Sequence, residues 1–66
     1  MVQKVIEVVG ISKESFAKAA EEAVKEASKS VHGIRWARVS DLEMQLDEKN
    51  VVQYRVTARI YFDVDR

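Results

Sequence analysis

The sequence predicts an α+β fold in the order β-α-β-β. Three observations carry that prediction: a β-branched opening run, VQKVIEVVG; a central stretch whose apolar residues recur at helical spacing; and a closing stretch, residues 52–64, that alternates apolar and polar side chains without a break.

The opening run suits a strand over residues 2–9 that leads into a turn at Gly10. In SKESFAKAAEEAVKEASKSVHG, Ser12 is placed to cap the amides that follow. Phe16, Ala20, Ala23, Val24, Ala27 and Val31 then recur at the spacing of one helical face, which gives a helix over roughly 13–30. Most of that stripe is alanine, so the helix backbone can lie close to whatever it packs on, while Lys18, Glu21, Glu22, Lys25 and Lys29 face water. His32 and Gly33 read as the helix end: a polar or positive group near the last carbonyls, then a residue that tolerates a left-handed cap.

From Ile34 to Leu46 the pattern is strand-like, but its parity changes. Ala37 and Val39 are small or apolar at odd positions, whereas Leu42, Met44 and Leu46 are apolar at even ones. A slip of one residue moves every side chain to the other face, so a β-bulge is expected near Ser40 and Asp41. DEKN, residues 47–50, reads as a short hairpin loop. The last strand then carries Val52, Tyr54, Val56, Ala58, Ile60, Phe62 and Val64 on one face. Gln53, Arg55, Thr57, Arg59, Tyr61 and Asp63 lie on the other.

Residues 1–66 read as one domain, with no linker, repeat or low-complexity segment. A core of this size supplies only about 3–5 kcal/mol of net stability. There is no cysteine for a disulfide, and a single histidine leaves no tetrahedral zinc set. The long strands, at about 13–15 residues, run about 45 Å, whereas an 18-residue helix spans about 27 Å. One helix cannot cover that sheet, so its uncovered face is expected to meet further copies of the chain in a closed homo-oligomer.

Charge and hydropathy narrow the function classes. Eleven Lys+Arg balance eleven Asp+Glu, which argues against a protein that lives on phosphate backbone through counterion release. Nor do several exposed aromatics accompany the basic residues, so no nucleic-acid partner is expected. No apolar run of about 18 residues and no signal-peptide pattern is present, which reads as a soluble cytoplasmic chain with no membrane partner.

The chemistry concentrates around Trp36, the single tryptophan, in GIRWARV. If Ala37 and Val39 point at the helix, Trp36 and Arg38 point away from it, onto the face that carries Arg55, Arg59 and Tyr61. An indole beside several guanidiniums suits a planar aromatic ligand bearing negative charge, because the ring stacks and arginine pairs with phosphate. The competing reading makes Trp36 an interface anchor. With the hairpin turning at 47–50, Trp36 lies across from about residue 61 and about 20 Å along the sheet from Arg55, so a site that uses both needs more than one subunit. His32 at a helix end reads as a capping group, with no nucleophile or orienting acid at fixed spacing to make it catalytic. Asp41, Glu43, Asp47 and Glu48 offer oxygen ligands for a hard cation, but they match no EF-hand spacing and equally describe a solvated hairpin. No catalytic residue and no metal ligand is assigned.

From end to end the chain resembles the dodecins. KVIEVVGISKESFAKAAEEAVKEASKSV resembles the family's opening strand, VGTS-type turn and single helix. IRWARV resembles the W-(F/A)-E-V segment that follows, and VVQYRVTARIYFDVD resembles the closing strand, which typically reads Y-Q-V before alternating hydrophobics. The resemblance implies a three-stranded antiparallel sheet wrapped around one helix and twelve copies forming a hollow homododecamer. It also implies flavin, FMN or riboflavin, bound in stacked pairs between tryptophans at subunit interfaces. The implied role is flavin storage and sequestration without catalysis, with Trp36 as the stacking and quenching residue and Arg55 and Arg38 beside the ligand.

Two positions depart from that pattern. Arg55 stands where the family usually has glutamine, and Arg38 where it usually has glutamate. A glutamine amide offers both a donor and an acceptor to the N3–H and carbonyl edge of isoalloxazine, whereas arginine offers donors only. An unsatisfied N3–H costs about 1–3 kcal/mol, so Arg55 is expected to weaken flavin binding and Arg55→Gln to restore it. The alternative reading keeps the shell and replaces flavin with a cation or another nucleotide-like anion.

Overall fold

A computed structural model describes residues 1–64. Strand β1, Gln3–Ser12, is followed by helix α1, Phe16–Ala27, and then by β2, Ile34–Asp47, and β3, Asn50–Asp63. All pairings are antiparallel and the strand order is β1-β3-β2, so β3 is the central strand. That is the β-α-β-β architecture expected from the sequence.

The two ends of the helix differ from expectation, for local reasons. Ser12 does not cap α1. It stays paired with Tyr54 in β1, and its Oγ accepts the Glu14 amide at 2.9 Å, which bends the chain. The capping residue is Ser15, in extended conformation, whose Oγ accepts the Lys18 amide at 3.0 Å. At the other end the helix stops at Ala27 rather than near residue 30, and the Ser28 hydroxyl donates to the Lys25 carbonyl at 2.8 Å. Neither His32 nor Gly33 caps the helix. Gly33 adopts φ +73°, which turns the chain into β2, and its carbonyl accepts the Asp63 amide at 3.0 Å.

Gly10 also sits elsewhere than expected: it lies inside β1, paired with Val56, not in the turn after it. It is buried, and a Cβ there would fall deep inside the Ala19 carbonyl oxygen and 2.8 Å from the Ala23 nitrogen. The helix approaches the sheet through Ala19, Ala23 and Ala27, spaced one turn apart and all essentially inaccessible to solvent. Ala19 was absent from the expected stripe, while Val31 lies past the helix end. The core is these alanines against Val56, Ala58 and Ile60 of β3, with Ile6, Val8, Val24 and Ile34 at its margin. Phe16 extends it, its ring meeting Tyr54 edge-on at a centroid distance of 4.9 Å.

The expected bulge is present: β2 register shifts between Val39 and Asp41, leaving Ser40 as the extra residue. Two further shifts went unforeseen. Arg35 is extra between Ile34 and Trp36, and between Gln45 and Leu46 the extra residue is Val52 of β3, so that Val51, not Val52, stands opposite Leu46. The hairpin loop narrows to Glu48 and Lys49, with Glu48 at φ 54°.

Arg35 ties the far end of the sheet together. Its Nε donates to Asp63 Oδ2 at 3.0 Å, while Gln3 Nε2 donates to Oδ1 at 2.9 Å, so one carboxylate joins all three strands. The Gln3 hydrogen bond, and after it that of Arg35, hold the Asp63 pKa below the usual aspartate value. A carboxylate with a depressed folded pKa stabilises fully above its unfolded pKa of about 3.9 and loses that contribution as pH falls through the lower, folded value. Asp63→Asn is therefore expected to lower the urea midpoint at pH 7 and to lose that difference in strong acid. Parallel curves for the two proteins across the whole pH range would show that the carboxylate contributes nothing.

Candidate functional site

The site is built on the sheet face that points away from α1. Cross-strand partners share a face, so the β2–β3 register sets the order of side chains along it: Trp36 beside Tyr61, Arg38 beside Arg59, Asp41 beside Thr57, Glu43 beside Arg55, and Gln45 beside Gln53. Strand β1 adds Val5, Glu7, Val9 and Ile11 to the same rows. The bulge at Ser40 is what keeps Trp36 and Arg38 on this face together with Glu43, because without it the two halves of β2 would present opposite sides.

Trp36 takes no part in the chain's own core: it is 69% exposed, the most open large apolar side chain after Met1. Arg38 and Arg59 are exposed beside it. The residues named from the sequence are thus on one face, but not at one place. Arg55 lies six residues along β3 from Tyr61, about 20 Å from the tryptophan row.

Arg55 is not the lone cation it resembles in the sequence. Its Nε donates to Glu43 Oε1 at 3.0 Å, and that hydrogen bond, followed by the charge of Glu43, raises the arginine pKa above its ordinary value. Together they border an open groove lined by Glu43, Met44, Gln45, Gln53 and Arg55. Sequence reasoning weighed Glu43 only as a cation ligand and missed this pairing. The signal was available in the hairpin count, but it required both the turn length and the shift at Val52. Among the described residues no three His, Cys, Asp or Glu side chains converge on a point that could hold a metal ion. Asp41 and Glu43 share the outer face, and Asp47 and Glu48 sit at the hairpin tip.

Half of the opposite face is bare. The helix packs on β1 and β3 and hardly reaches edge strand β2, so Val39 opposite Ala58, and Leu42, Met44, Leu46 and Val51 toward the hairpin tip, remain open to solvent. The accessible surface is 5172 Å², against about 4,300 Å² for a compact monomer of this mass. The radius of gyration is 13.5 Å, where a compact chain of this length gives about 11 Å. Among the described residues no helix is long and apolar enough to cross a membrane.

Comparison with known proteins places these features in context. The family model described as Dodecin matches residues 2–65. The calcium dodecin of Mycobacterium tuberculosis is 41% identical over 61 residues, covering 92% of this chain and 86% of that protein. Its crystal structure, that of a calcium-chelating immunodominant antigen with a novel calcium-binding site, superposes with a TM-score of 0.83 at 38% identity, covering 98% of this chain and 93% of that one. The tt0972 protein of Thermus thermophilus gives a TM-score of 0.93 at 28% identity, with 98% of this chain and 96% of that one covered. A dodecin from Streptomyces davaonensis gives 0.92 at 26%, with the same coverage.

Proposed function

The chain belongs to the dodecin family, and from that premise we propose that it is a self-assembling binding and storage protein, a homododecamer that holds FMN or riboflavin against Trp36 where subunits meet. The single observation that carries this reading is the exposure of Trp36, a large flat ring that the folded chain leaves unused, on a face lined with guanidiniums. Assembly is supported by the bare half of the hairpin and by the excess surface of one chain. It works by binding alone and turns over no substrate.

The residues present fit a flavin. Trp36 offers a face for the isoalloxazine ring, and the Glu43–Arg55 pair of a second subunit offers its edge both kinds of partner. With Arg55 Nε engaged, Glu43 Oε2 remains as an acceptor for N3–H and the terminal guanidinium nitrogens remain as donors for the neighbouring carbonyls. On this reading the ion pair does what one glutamine amide does, and N3–H keeps an acceptor although arginine stands in place of glutamine. Bound flavin supplies a chromophore whose excited state an electron-rich indole quenches.

Titrating the purified protein with FMN tests the reading directly: flavin and tryptophan fluorescence should fall together, and absence of quenching at micromolar concentrations removes the flavin role. Glu43→Ala is expected to weaken FMN binding about tenfold, roughly 1.4 kcal/mol, the size of one hydrogen bond to a charged group. Adding Arg55→Gln to that variant should recover the loss, because the amide brings its own acceptor. Unchanged affinity in Glu43→Ala would show that the pair does not meet the ring.

A second reading follows from the calcium dodecin relative. Asp41, Glu43, Asp47 and Glu48 do not converge within one chain, so a calcium site would draw them from neighbouring subunits. Calorimetry with calcium alone separates the two readings: saturable heat lost in Asp41→Asn favours the cation, and its absence favours flavin.

A further inference from the structure

Trp36 faces away from the helix because of the residue before it. Ile34 pairs with Phe62 and packs at the margin of the core, whereas Trp36, two residues on, stands opposite Tyr61 and is exposed. In an unbroken strand residues i and i+2 share a face. Continued from Ile34, that register would set Trp36 against Ile60, which is fully buried in the core under the helix. Arg35 is the extra residue that reverses the alternation and sends the indole outward.

A bulge leaves its extra residue outside the ladder, so something other than regular strand pairing has to hold it. Asp63 does so from both sides of Ile34. Its backbone amide donates to the Gly33 carbonyl at 3.0 Å, and its Oδ2 accepts from Arg35 Nε at 3.0 Å. Gln3 of β1 fixes the carboxylate in turn, donating from Nε2 to Oδ1 at 2.9 Å. The Asp63 side chain is 23% exposed and that of Arg35 69%, so the carboxylate is the fixed member and the arginine is tethered to it. An ion pair with one partner so open to water adds little stability, which leaves the position of the chain as the main thing it sets. The lowered Asp63 pKa fits a carboxylate that both hydrogen bonds keep ionised.

We propose that Asp63, steadied by Gln3, is a positioning residue for the ligand site: by holding Arg35 in the bulge it fixes the backbone from which Trp36 projects and keeps the indole outward before any ligand arrives. The inference rests on the flavin reading for the ligand, but not for the orientation of the ring. A ring already held in place loses less freedom on stacking, so the clasp raises affinity without touching the ligand.

Trp36 is the single tryptophan, so the decay of tryptophan fluorescence anisotropy reports this one ring. In the assembled, flavin-free protein, Arg35→Ala, Gln3→Ala and Asp63→Ala should each enlarge the fast local component of that decay. FMN affinity should fall about fivefold in Arg35→Ala and in Asp63→Ala. Arg35→Lys, which keeps a cation for Asp63 to hold, should retain part of both properties. Gln3 and Arg35 are exposed and lie outside the core, so their variants carry the test even where Asp63→Ala does not fold. A merely structural clasp would lower the thermal midpoint and leave the ring as it was. Unchanged ring motion in Arg35→Ala, or unchanged affinity beside a looser ring, would therefore overturn the proposal. If the unaltered protein binds no flavin, the flavin reading fails on its own. The anisotropy decay then decides alone: a looser ring in Arg35→Ala upholds the positioning role, and an unmoved one overturns it.

Discussion

Trp36→Ala is expected to abolish flavin quenching and to weaken FMN binding by about a hundredfold or more, while the particle stays assembled and its thermal midpoint hardly moves. A stacking aromatic removed from a binding site typically costs about 2 kcal/mol or more, whereas truncating an exposed side chain outside the core changes fold stability by less than about 0.5 kcal/mol. Trp36 is on the exposed side of that division, at 69% open surface, and no core residue of the chain leans on it. Sedimentation and quenching on the same sample separate the roles. Intact particles that no longer quench identify a ligand clamp. Dissociated particles would instead make Trp36 an assembly anchor, and the flavin proposal would lose its main support.

Gly10→Ala is expected to be the most damaging small substitution in the chain, lowering stability by about 3 kcal/mol. One methyl group is added, but it lands on the Ala19 carbonyl and the Ala23 amide, which are helix backbone and cannot rotate aside. Either α1 lifts off the sheet or β1 shifts under it, and in both cases the contacts of Ala19, Ala23 and Ala27 are loosened. For a domain of this size that corresponds to a fall of about 12–24 °C in thermal midpoint. A fall of less than a few degrees would show that the helix can ride over the added carbon and that the close approach at Gly10 is not a constraint.

The elements were legible in the sequence because each carries its own period. The alternation of Val56, Ala58 and Ile60 against Thr57 and Arg59 specifies a half-buried strand, and the structure buries the first set completely. The parity change between Val39 and Leu42 was also readable, since only a bulge reconciles the two halves of β2 with one buried face. Boundaries were less legible where two residues compete for one task. Ser12 and Ser15 are equally good caps by type; which one serves depends on how far β1 stays paired with β3. Gly10 and Gly33 both look like turns, yet one is a contact surface for a helix and the other a left-handed bend.

By itself the sequence determined the order of elements, the face on which Trp36, Arg38 and Arg55 lie, and the insufficiency of one helix to cover the sheet, because periodicity and length are local properties. Only the tertiary structure decided that Arg55 is bonded to Glu43 and that Arg38 stands opposite Arg59 in register. Those facts depend on the exact register of β2 against β3, which three bulges reset one residue at a time, and register is a property of two strands rather than of either alone.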